Sequence, residues 1–124
     1  MNGVAKEAAY LEEEQDPTHV AMQEVASYMQ THLDQSLTIA GVARHFALSE
    51  VTLRRRFREA FGMSPKQYLL AARLCEAQRL LSTTKLPMQD IAHLLGFFDL
   101  AHFSSTFRKH IGLSPTAWRA QAQR

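Results

Sequence analysis

Residues 57–65 read Phe-Arg-Glu-Ala-Phe-Gly-Met-Ser-Pro and residues 107–115 read Phe-Arg-Lys-His-Ile-Gly-Leu-Ser-Pro. The phrase F-R-x-x-x-G-x-S-P thus occurs twice, fifty residues apart, in a chain of 124. Self-similarity at such a period marks a structural unit used more than once. In each copy Gly supplies a left-handed stop to one helix. Ser-Pro then opens the next, with Ser as N-cap and Pro at the first helical position.

Working outward from the first copy, Ser49 caps a helix that runs to about Phe61 with Leu53, Phe57 and Ala60 or Phe61 as its apolar face. Before it, Thr38 caps a short helix carrying Ile39, Val42, Ala43 and Phe46, and Ala47-Leu48 form a tight turn. Earlier still, Met22, Val25, Tyr28 or Met29, and Leu33 recur at helical spacing, predicting a helix from a Thr18 cap to about Asp34-Gln35. From Ser64-Pro65 an uninterrupted helix is expected to reach about Ser82. Its length of about 18 residues corresponds to roughly 27 Å at 1.5 Å per residue.

The second copy repeats the plan. Pro87 initiates a helix with Met88, Ile91, Ala92 and Leu95; Gly96-Phe97 makes the turn; Asp99 caps a helix with the stripe Phe103, Phe107, Ile111. Ser114-Pro115 opens a last helix bearing Trp118. No segment alternates with period two, so the fold class is all-α. About seven helices should form two helix-turn-helix subdomains, homeodomain-like in plan, joined by a long central helix. The expected divisions are an acidic leader at 1–17, a first subdomain at 18–63, a linking helix at 64–82 and a second subdomain at 83–124.

In a helix-turn-helix the two helices cross closely, and the second enters the major groove. Ala43 and Ala92 supply the small residues for that crossing, and Gly96 supplies backbone freedom at the second turn. Ala47 stands at the equivalent place in the first turn, at a cost of about 1 kcal/mol if the backbone is left-handed there.

Opposite the Leu53–Phe57 stripe lie Glu50, Val51, Arg54, Arg55 and Arg58, with Arg44 and Arg56 nearby. Arg bridges guanine O6 and N7 with two bonds and also neutralises phosphates. Alone, such a cluster reads as a solvated basic face. On the second helix of a duplicated helix-turn-helix it reads as a DNA-contacting surface. The corresponding face of the second unit carries Leu100, Ala101, His102, Ser104, Ser105 and Arg108 and is less basic. There Ser and His offer hydrogen bonds, and Ala or Leu can touch a thymine methyl.

Charge points the same way. Residues 1–34 hold seven acids against Lys6, a formal −6, whereas residues 35–124 hold thirteen Lys/Arg against five acids, a formal +8. A basic body of this kind attracts polyanions. The single cysteine, Cys75, excludes an internal disulfide and fits a reducing, cytoplasmic compartment. No apolar run is long enough to span a bilayer.

Positions 37–120 resemble the C-terminal DNA-binding domain of AraC/XylS-type transcription regulators. The matching phrases are Leu37-Thr38-Ile39-Ala40 with Ala43, then Ser49, Leu53, Arg55, Phe57 and Arg58, then Gly62-x-Ser64-Pro65-x-x-Tyr68 and Arg73-Leu74 with Ala77 and Leu80-Leu81. They continue with Ile91-Ala92, Gly96-Phe97-x-Asp99, Phe103, Phe107-Arg108, and Gly112-x-Ser114-Pro115-x-x-Trp118-Arg119.

The resemblance implies base contacts from Val51, Arg54, Arg55, Leu100, Ala101, Ser104 and Ser105. Glu50 and His102 lie on the same faces and join the candidate base-contacting set. Backbone contacts fall to Arg44, Arg56, Arg58, Lys66 and Arg108. Where this chain has Leu100, Ala101 and Ser105, the family often has Gln or Ser at the first two and Arg or Lys at the third.

The implied partners are double-stranded DNA and, for an activator, RNA polymerase, with no membrane. An effector or dimerisation domain common in the family is not visible, so the chain is expected to be either a fragment or a minimal regulator.

Enzyme readings fare worse. His93, His102 and His110 form no H-E-x-x-H or Cys/His ligand set, no phosphate loop occurs, and Glu12–Glu14 fall in the leader. His45 and His93 read as surface or edge residues, Cys75 as an inert core thiol, and Trp118 as core. No catalytic group, metal or cofactor is expected. The competing reading is a helical protein-interaction module without specific DNA readout.

Overall fold

The computed structural model describes residues 20–34 and 36–124. Among them are seven helices and no strand: α1 (Met22–Gln30), α2 (Ile39–His45), α3 (Glu50–Phe61), α4 (Pro65–Thr83), α5 (Met88–Leu94), α6 (Leu100–Ile111) and α7 (Pro115–Ala122). The expected leader and its acidic run lie outside the described residues, as does Thr18.

α1 is shorter than its periodicity suggests. It starts after Ala21, which makes no side-chain cap, and stops at Gln30 rather than near Asp34. The Thr31 hydroxyl donates to the Tyr28 carbonyl at 3.0 Å, and His32 Nδ1 bonds the same oxygen at 2.7 Å. These local side-chain bonds occupy acceptors of the last turn and end the helix.

The other starts follow their caps. Thr38, Ser49, Ser64, Asp99 and Ser114 each accept the backbone N–H three residues on, and Ser64 with Gln67 completes a reciprocal capping box. Gly62 and Gly112 end α3 and α6 at φ 72° and 93°.

The two turns are built alike. After α2, Ala47 N–H bonds Arg44 O and Leu48 N–H bonds Ala43 O; after α5, Gly96 N–H bonds His93 O and Phe97 N–H bonds Ala92 O. This crossed pair is a Schellman arrangement, which needs a left-handed residue at its centre. Gly96 meets it at φ 77° and Ala47 at φ 56°, the one positive-φ non-glycine among the described residues.

A left-handed backbone costs an L-residue about 1–2 kcal/mol, and a glycine in the unfolded chain forfeits part of that relief. Ala47→Gly should therefore stabilise by about 0.5–1 kcal/mol. Gly96→Val should cost at least about 2 kcal/mol, because a β-branched side chain is poorly tolerated there. Thermal melts of both variants check this, and equal melting temperatures would contradict the turn assignment.

Buried apolar side chains fall into two clusters. The first joins Val25, Met29, Val42, Ala43, Leu53, Phe57 and Leu69. The second joins Leu74, Ala77, Leu81, Ile91, Ala92, Phe97, Phe103 and Phe107. Leu33 packs against both.

α4 serves each cluster with a different side. Pro65, Leu69 and Ala72 face one way, and Leu74, Ala77 and Leu81 lie about 150° around the helix at ~100° per residue. Cys75 falls between the two stripes and is exposed, not a core thiol as its apolar neighbours suggest.

The docking of one segment on the next repeats with the fifty-residue offset. Arg73 Nη2 donates to Asp34 O at 2.7 Å, closing the end of the α1 segment. Gln123 Nε2 donates to Thr84 O at 2.7 Å, closing the end of α4. Arg119 Nη1 adds a bond to Leu86 O at 2.7 Å, and its Nε donates to Leu81 O at 3.3 Å, placing a cation by the α4 C-terminus, where the helix dipole favours it. α4 is thus the last helix of one four-helix repeat and the first of the next.

Candidate nucleic-acid interface

α3 and α6 are each 12 residues long and each is anchored by two fully buried residues, Leu53 and Phe57 in one, Phe103 and Phe107 in the other. Helical spacing then turns positions i, i+1, i+4, i+5 and i+8 outward. On α3 these are Glu50, Val51, Arg54, Arg55 and Arg58, all exposed, with Val51 at 69%. On α6 the same offsets carry Leu100, Ala101, Ser104, Ser105 and Arg108; all are exposed except the half-buried Ser104. His102 is exposed beside them.

The two faces differ in chemistry. Arg54 and Arg55 occupy the offsets at which α6 has Ser104 and Ser105. Arg55 Nη1 lies 3.5 Å from Glu59 Oε1, an exposed i,i+4 pair that holds it weakly. On α6, the Ser105 hydroxyl donates back to His102 O at 3.3 Å, and the His102 ring leans on Phe97 with centroids 5.6 Å apart. Arg108, Lys109 and His110 sit together in the last turn of α6.

Both helix starts are secured by side chains that leave the outward face unencumbered. Ser49 Oγ accepts from Thr52 N–H at 3.1 Å, and Asp99 Oδ1 accepts from His102 N–H at 2.7 Å. Among the backbone-contact candidates, Arg44 on α2, Arg58 on α3, Lys66 in the first turn of α4 and Arg108 on α6 are exposed. Arg56 is half-buried and already engaged within the protein.

One residue escaped the sequence reading. The turn between α5 and α6 is one residue longer than that between α2 and α3: Gly96-Phe97-Phe98-Asp99 against Ala47-Leu48-Ser49. Leu48 precedes its cap and packs on the first cluster. In the second unit Phe97 is 4% exposed and fills that role, leaving the additional Phe98 at 90% exposure. Leu94, at 50%, and Leu100, at 41%, lie along the same cleft. Counting the turn lengths is the signal that would have found it.

Among the described residues no helix is long and apolar enough to cross a membrane. Nor do they include a group of three or more His, Cys, Asp or Glu arranged to hold a metal ion.

Comparison with known proteins places this geometry. Residues 42–121 match the family described as "Helix-turn-helix domain". The chain is 36% identical over 105 residues to the arabinose operon regulatory protein of Escherichia coli, covering 84% of this chain and 36% of that protein. It is also 36% identical over 101 residues to the transcriptional activator RhaS of Pectobacterium atrosepticum, covering 82% of this chain and 36% of that one.

The DNA-binding domain of AdpA, solved in complex with a target DNA, superposes with a TM-score of 0.76 at 33% identity, over 86% of this chain and 93% of that one. The chain thus spans about a third of the length of the curated regulators it matches. With the duplicated helix-turn-helix, the shared central helix and these likenesses together, the chain belongs to the AraC/XylS-type helix-turn-helix family.

Proposed function

We propose that this chain binds double-stranded DNA sequence-specifically and regulates transcription, as an activator, with α3 and α6 in successive major grooves on one face of the duplex. The observation that carries the reading is the pair of equivalent outward faces, 50–58 and 100–108, each buried on its reverse side and set by the same left-handed turn. α4, with 19 residues, measures about 28 Å at 1.5 Å per residue, which suits the ~34 Å between successive grooves. A single chain then takes the place of the dimer that simpler helix-turn-helix proteins need.

In this reading Glu50, Val51, Arg54 and Arg55 meet bases in one half-site, and the face formed by Leu100, Ala101, His102, Ser104 and Ser105 meets them in the other. Arg44, Arg56, Arg58, Lys66 and Arg108 meet phosphates. The functional units follow the expected divisions, a first module to residue 63, the linking helix, and a second module from residue 83. The protein works in the cytoplasm, carries out no catalysis, and touches RNA polymerase when it activates.

The test is selection of bound duplexes from a random pool, followed by anisotropy titrations on the selected site. Arg55→Ala should weaken binding by about 1–3 kcal/mol and relax preference at one base position. Arg58→Ala should weaken all sequences alike and reduce the salt slope by about 1. A pool with no enriched sequence would overturn the reading.

A further inference from the structure

We infer that the two modules read different chemistry: the α3 half-site through guanine acceptors and the α6 half-site through thymine methyl groups. The inference rests on the DNA-binding reading and adds the class of base each half recognises.

The argument is one of available atoms. On α3, Arg54 and Arg55 are exposed and reach outward with guanidinium donors. On α6 the same offsets hold hydroxyls of short reach. Ser104 is half-buried, and Ser105 Oγ is turned back to its own helix at His102 O, 3.3 Å away. The His102 backbone N–H is spent on the Asp99 cap, and its ring rests against Phe97. What remains projecting from the first turn, the part of a recognition helix that meets base edges, is Leu100 and Ala101.

Leu100 is 41% exposed, an apolar surface with no folded partner over much of its area. In the major groove the one apolar feature is the thymine C5 methyl, so an apolar helix start selects thymine by burying that methyl. Arg108 and Lys109 of α6 sit a turn or more away, and so position the helix on phosphates without specifying a base. Val51, at 69% exposure, is the α3 counterpart of Ala101 and adds one methyl contact in the first half-site.

The experiment replaces single thymines of the selected duplex by deoxyuridine, which removes only the methyl, and measures affinity with the full chain and with Leu100→Ser. The half-site whose preference survives Arg55→Ala is the one assigned to α6. There, one to three thymines should each lose about three- to fivefold in affinity on conversion to deoxyuridine, the worth of one buried methyl-sized group. Leu100→Ser should bind the thymine duplex more weakly yet treat thymine and deoxyuridine alike at its position, and Leu100→Met should restore the discrimination. Unchanged melting of both variants shows that folding is not the cause.

Tight, specific binding with no deoxyuridine effect in that half would overturn the inference while leaving DNA binding intact. So would a Leu100→Ser variant whose affinity and deoxyuridine response match the parent, and the apolar edge would then be assigned to a protein partner. A failure to select any sequence would remove both readings together.

Discussion

Phe107→Ala is expected to destabilise the protein by about 3–5 kcal/mol, the range for truncating a fully buried phenylalanine. Phe107 has no solvent exposure. Its ring stands 5.8 Å from Phe103 and 6.2 Å, edge-on, from Trp118. It thereby joins α6 to α7 across the second cluster.

Truncation leaves a void that the surrounding helices close only in part, so the loss combines transfer free energy with a cavity term. Against a total stability of about 5–15 kcal/mol this is a large fraction. A melting temperature lower by at least about 12 °C is the expected reading for a domain of this size. It should come with loss of discrimination in the α6 half-site, because α6 is no longer held.

Phe98→Ala is the matched control. It removes the same side chain nine positions away in sequence, from a site 90% exposed, and should change stability by no more than about 0.5 kcal/mol. A Phe107→Ala loss below about 1 kcal/mol would mean that the ring is not part of the core.

Raising salt from 50 to 200 mM should weaken DNA binding by about two to three orders of magnitude. Counterion release gives a slope near −0.9 per neutralised phosphate on a log–log plot. Arg44, Arg58, Lys66 and Arg108 are exposed and available, which sets a slope of about −3.6. Adding Arg56, half-buried and internally engaged, raises it to about −4.5.

A fourfold rise in salt then costs about 150- to 500-fold in affinity. A slope near zero would sink the phosphate assignment and favour a protein-binding module. The measurement separates two contributions, since Arg58→Ala lowers the slope whereas Arg55→Ala changes which base is preferred.

Local signals were legible wherever local physics decides. Caps at Thr38, Ser49, Ser64, Asp99 and Ser114, stops at Gly62 and Gly112, and the stripes Leu53–Phe57 and Phe103–Phe107 depend on hydrogen bonds and periodicities a few residues long. They delivered α2 to α7 within a residue or two, and the outward faces of α3 and α6 with them. The misjudged end of α1 is local too. Thr31 and His32 terminate it through side-chain bonds that apolar spacing does not register.

The repeated phrase by itself determined that two like units exist and which residues face away from their cores, because side-chain direction follows from helical geometry once the stripe is known. Only the tertiary structure decided which apolar residues outside those stripes are buried. α4 turns nearly opposite faces to its two clusters, which exposes Cys75. One additional turn residue sends Phe97 inward and Phe98 outward. Burial depends on where the neighbouring helices lie, which apolar spacing along one helix does not record.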